Sequence, residues 1–177
     1  FNYFPRKTDV FVYFIQIWSL QAAWRARQAL LEHGPRAALW AVFEFTGRQM
    51  AEQPAVSAEV MAFQARQPRE IHARELTAAE RRLALPNVED VDDLPAVGFD
   101  GILPPLIRAA IRANELPRGT DVAGTMLAFA TVFFGVPVTL LSSAPQGLLA
   151  AYRRQFDLVW SAIARGPALS RGKGKTP

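Results

Sequence analysis

The chain has 177 residues, half of them hydrophobic and 20% charged, with a net charge of +4 and a pI near 10.0. This is the composition of an ordinary globular chain large enough for a sizeable core, one domain or one plus a fragment. The absence of cysteine excludes a disulfide scaffold, thiol catalysis and thiolate metal sites, and the modest, dispersed positive charge is compatible with a nucleic-acid partner without demanding one. With no initiating Met and no signal-peptide layout, the expectation is a cytoplasmic chain that lacks part of its N-terminal region.

The first seven residues, Phe1-Asn2-Tyr3-Phe4-Pro5-Arg6-Lys7, lead an aromatic cluster into a helix. Pro5 suits a first helical turn, where its missing N–H costs nothing and its fixed φ is already helical. The free N–H groups and positive dipole end of that helix form a phosphate site, to which Arg6 and Lys7 add full charges. A cation set against the dipole is accounted for by an anion between them, so Lys7 reads as a phosphate contact; a solvated Lys7 with its stem over Phe4 is the other reading. Asn2 and Tyr3 are placed to hydrogen-bond phosphate or sugar, contacts that position a protein on DNA without reading its sequence. Phe1 and Phe4 read as core residues.

From there the periodicity is helical throughout, with Gly and Pro punctuation and no alternating strand, which predicts an all-α fold. The first helix is expected over about Arg6 to Glu32, with Val10, Phe14, Ile17, Trp18 and Gln21 along one side. Gly34 stops it and Pro35 opens the second, which runs to about Glu52. Pro54 opens a shorter helix with Val60, Met61 and Phe63, ending at Gln67-Pro68. The charged stretch from Arg69 to Leu85 reads as an exposed amphipathic helix. Glu89, Asp90, Asp92 and Asp93 follow; they lack the spacing, turn Gly and terminal Glu of a calcium loop and read as a solvated loop. The helical period resumes from Gly101 to Leu116. Thr120 or Asp121 caps an apolar helix to about Leu141, and a last amphipathic helix runs from Gln146 to Arg165. The tail from Pro167 to Pro177 is basic, rich in Gly and Lys, and expected to be disordered.

No side chain from Val122 to Tyr152 carries a charge. Its length would suit a membrane span, but Gly135, Pro137, Ser142, Ser143, Pro145, Gln146 and Gly147 interrupt it, and flanking cations do not bias one side. A helix apolar on nearly all sides is equally expected where one face meets its own core and the other a second copy. That reading is preferred, with no membrane partner.

The opening aromatic-x-Tyr-Phe run followed by Pro, a basic residue and Lys resembles the junction after the helix-turn-helix in the TetR (tetracycline repressor) family. The run Ile111-Arg112-Ala113-Asn114-Glu115-Leu116-Pro117-Arg118-Gly119-Thr120-Asp121-Val122 resembles that family's lead-in to an Ala-rich apolar helix. The resemblance implies a division into residues 1–7, a remnant of the DNA-binding helix-turn-helix; 8–166, a ligand-binding and dimerisation domain; and 167–177, the tail. It also implies that the last two long helices pair two copies as a homodimer in a four-helix interface, with Phe134, Leu141, Phe156 and Trp160 as candidate contacts. Operator DNA is the implied partner of the full-length protein, with Asn2, Tyr3 and Lys7 as its contacts, and repression relieved by a small hydrophobic or aromatic effector is the implied function.

Pockets in helical folds lie between helices and are mainly apolar with a few polar groups. The candidate ligand contacts are Trp18, Phe43, Met50, Met61, Phe99, Leu106, Met126 and Phe129, with Gln21, Thr46, Gln64 and His72 as polar partners; plain core packing is the competing role for each. No cofactor is expected. The two histidines, His33 and His72, lie far apart, and HExxH, a glycine-rich phosphate loop and a Gly-x-Ser-x-Gly elbow are all absent, so catalysis is not expected. The alternative to a regulator is a helical ligand-binding or scaffolding dimer that never touches DNA.

Overall fold

The structure, a computed structural model, describes residues 4, 6–66, 75–94 and 98–166. Among these the chain forms α1 (Lys7–His33), α2 (Pro35–Glu52), α3 (Pro54–Arg66), α4 (Ala78–Ala84), α5 (Phe99–Arg112), α6 (Val122–Leu140) and α7 (Leu148–Ala164), and no strand. The all-α expectation holds.

Punctuation residues explain the helix ends. Gly34, at φ 87°, occupies a backbone region that L side chains rarely adopt, and it turns α1 directly into α2. Glu115, from the α5–α6 connection, then accepts the Arg36 backbone N–H at 2.9 Å, placing a carboxylate on the positive end of α2. Asp121 caps α6 by accepting the Ala123 N–H at 3.0 Å. Within α5, Pro104 and Pro105 are tolerated because Ile102, Leu103, Leu106, Ile107 and Ala110 are buried as one continuous face.

The core is organised on α2, which packs against α1, α5 and α7, while α6 lies across α5 and α7. Phe43 is its hub: its ring centroid lies 5.4–6.0 Å from those of Phe99, Phe129, Phe133, Tyr152 and Phe156. These edge-on contacts match the electrostatic preference of aromatic pairs. Gly47 lets α7 approach α2 closely; a Cβ there would meet the Tyr152 ring at 3.0 Å.

The acidic segment departs from the expected solvated loop. Val91–Asp93 form a single 3-10 turn, and Val91 and Leu94 are buried with Leu20, Leu76 and Leu85. Burying two apolar residues outweighs the exposure preference of their acidic neighbours, which stay at the surface and pair with Arg27 (Asp90, 3.3 Å) and Arg82 (Asp92, 3.3 Å). Arg81 fixes the turn by donating to the carbonyls of Val91 and Leu94 at 3.2 and 2.8 Å. Only α4 represents the charged helix expected from Arg69; residues 67–74 lie outside the described residues. Glu80, read from sequence as exposed, is buried because it closes a capping box with Thr77.

Candidate ligand cavity and outer helix face

Three neighbouring hollows are lined by residues of α1, α2, α3, α5 and α6, and Gln64 borders all of them. The innermost, about 40 Å³, touches Trp18, Met50, Ser57 and Phe133. A second of about 230 Å³ adds Phe99, Asp100, Met126 and Phe134. Outside them is a groove of about 930 Å³ between α3 and the C-terminal half of α6, lined by Met61, Phe134, Val138 and a row of α3 alanines.

Two hydrogen-bonded devices fix the inner walls. The Trp18 indole N–H donates to the Thr46 hydroxyl at 3.1 Å, which in turn donates to the Val42 carbonyl at 2.7 Å. The Trp18 ring is thereby held at 5.6 Å from Phe133, which lies 4.2 Å from Phe99. Opposite, Pro137 sits inside α6 and has no N–H to offer the carbonyl four residues back, that of Phe133. The Tyr152 hydroxyl supplies the missing donor at 2.7 Å. Leaving a buried carbonyl unmatched is costly, so α7 clasps α6 at the break in its ladder. Burial pushes the Tyr152 phenol well above its ordinary range, which keeps it a proton donor.

The structure brings Trp18, Met50, Phe99 and Met126 together around the inner hollows and sets Met61 on the outer groove. Three other candidates are elsewhere. Phe43 and Phe129 are 0% exposed within the aromatic core, where no ligand reaches them without displacing their neighbours, and Leu106 lines a separate cleft with Leu30 and Leu94. Of the polar candidates, Thr46 is engaged with Trp18, Gln64 borders all three hollows, and Gln21 faces away, donating to the Ala84 carbonyl at 3.3 Å. His72 lies outside the described residues. Sequence reasoning missed Phe133, Phe134, Ser57 and Asp100 as lining residues. The signal for Phe133 was present: Thr125, Phe129, Phe133 and Pro137 recur every four residues and form the buried stripe of α6.

The stripe leaves the rest of α6 outward. Its length and composition suit a membrane span, with 28% of that stretch buried in the protein. Leu127 and Val138 are 65% and 72% exposed, and Leu158 on α7 is 56% exposed. Among the expected interface residues, Phe134 is exposed, but Leu141 is buried and Phe156 and Trp160 face inward. In the single chain Leu141, Phe156 and Trp160 are thus all buried, whereas Phe134 is open to solvent. Leu148, Tyr152, Phe156 and Trp160 form one i, i+4 face turned onto α2, with Phe156 against Trp40, Phe43 and Phe129, so they support the outer surface from behind.

At the other end of α1, Asn2 and Tyr3 lie outside the described residues, and Lys7 opens the helix. Arg6 is the N-cap, and its guanidinium pairs with Asp9 at 2.8 Å while its backbone N–H donates to the same carboxylate at 3.0 Å. The full charge assigned to Arg6 in a phosphate site is therefore partly offset by Asp9. Phe4 packs on Tyr13, ring centroids 5.5 Å apart. Comparisons of the chain with models of known protein families, with curated proteins and with solved structures give no match.

Proposed function

We propose that this chain is the sensing and pairing part of a DNA-binding transcriptional regulator of the tetracycline-repressor type, a cytoplasmic repressor released from its operator by a small hydrophobic effector. One observation carries the reading. Trp18, a wall of the inner hollows, stands on the same helix that begins at Lys7, and eleven residues of helix place the two about 16 Å apart. A ligand pressing on Trp18 acts on a rigid lever whose other end meets the residues proposed to contact DNA. The outward face of α6, with Leu127, Val138 and Phe134, is the surface proposed for the second copy. Two copies place two reading heads roughly 34–36 Å apart, the spacing of successive major grooves, and a tilt of α1 changes that distance.

The test is to extend the chain by its upstream coding sequence and titrate the product with promoter DNA from its own locus. The proposal predicts binding to a palindrome that resists nonspecific competitor and weakens steeply with salt, as counterion release requires. A second reading, a ligand-binding or scaffolding dimer that does not touch DNA, is favoured by the Arg6–Asp9 pair, since Asp9 sets a carboxylate in the turn where a phosphate would dock. Absence of specific binding by the extended protein would select that reading.

A further inference from the structure

We infer that the hollow between α1, α5 and α6 selects lipophilic cations over anions of the same shape. The inference rests on the reading of this hollow as a ligand site and specifies the charge of its occupant. Four rings, those of Trp18, Phe99, Phe133 and Phe134, wall a space of about 230 Å³, and aromatic faces attract cations through their quadrupoles. Asp100 lines the same space, and no described Lys, Arg or His lines it or the two neighbouring hollows that Gln64 also borders.

The N-terminus of α5 also borders the hollow through Gly98 and Phe99 and by itself would favour an anion. Magnitudes decide the sign. A helix end carries about half a positive charge, whereas the Asp100 carboxylate, exposed at the rim of the hollow and screened in part by solvent, carries a full negative one in the same turn. The balance of charge at the rim is therefore negative, beside aromatic walls that reward a positively charged apolar body.

Calorimetric titration of the whole chain with three molecules of one shape tests this: benzyltrimethylammonium, its neutral carbon isostere neopentylbenzene, and phenylmethanesulfonate. The cation is expected to bind about tenfold or more tighter than the anion, and the gap to narrow as NaCl is raised to about 0.5 M. Asp100→Asn is expected to weaken the cation about fivefold and the neutral isostere less than twofold, while Ala130→Trp, which fills the hollow from α6, abolishes binding of both. Equal binding of cation and anion, or a cation affinity unmoved by Asp100→Asn, overturns the charge selectivity and leaves the ligand site standing. If none of the three binds, the ligand-site reading fails, and this inference fails with it.

Discussion

Tyr152 does more for this fold than its burial alone conveys. Its ring fills the space that Gly47 leaves open between α2 and α7, and its hydroxyl meets the one carbonyl that Pro137 strips of a helical donor. Tyr152→Phe keeps the ring and removes the donor, so a loss of about 1–3 kcal/mol is expected in denaturant unfolding. A pH experiment reads the same residue. A phenol held above its ordinary value of 10.0 by burial favours the folded state only while protonated. Its contribution is thus complete below about pH 10 and is lost as pH rises beyond that; the difference in stability between wild type and Tyr152→Phe should be flat up to about pH 10 and shrink above it. At Trp18 the expectation is simpler. Thr46→Val keeps the shape and removes the acceptor of the indole N–H, and loss of about 1–3 kcal/mol should accompany a change in the Trp18 fluorescence.

Helices were largely legible in the chain because their ends are written in residues with one physical use. Gly34-Pro35, Pro54 and Asp121 each fix a boundary through φ or a cap, and the structure turns at each. What stayed hidden depended on contacts distant in sequence. Val91 and Leu94 sit among carboxylates, and only their packing on Leu20, from α1, shows them to be core. Phe156 and Trp160, on the amphipathic helix that follows the chargeless stretch, look like interface residues until α2 is seen to cover them. The cavity was half legible: apolar type and helical spacing found Trp18, Met50, Phe99 and Met126, but could not separate them from Phe43 and Phe129, which differ only in being wholly enclosed. The α6–α7 clasp also makes a prediction between elements. Pro137→Ala restores an N–H beneath the Phe133 carbonyl, so Tyr152→Phe should cost less in that background, with a coupling of at least about 0.5 kcal/mol in a double-mutant cycle. Strictly additive losses would mean that the phenol and the proline act independently.

At the scale of the molecule, the described residues form a helical core whose exposed large apolar side chains include Leu127 and Val138 on α6 and Leu158 on α7. Large exposed apolar patches mark interaction surfaces, and the account assigns these side chains to contact with a second copy. Leu127→Arg with Val138→Arg should convert a dimer to a monomer in sedimentation velocity with the helical spectrum retained. A wild-type chain that is monomeric at all concentrations, or that partitions into lipid vesicles, would contradict the assignment. The central claim is that the cavity beside Trp18 and the end of α1 proposed to face DNA are energetically linked, and one measurement addresses it most directly. The affinity of the upstream-extended protein for its promoter palindrome should be determined with and without benzyltrimethylammonium, in samples where calorimetry shows the cavity to be occupied. Linkage predicts weakening by about 5- to 150-fold, a coupling of roughly 1–3 kcal/mol. An unchanged DNA affinity at full occupancy would contradict it.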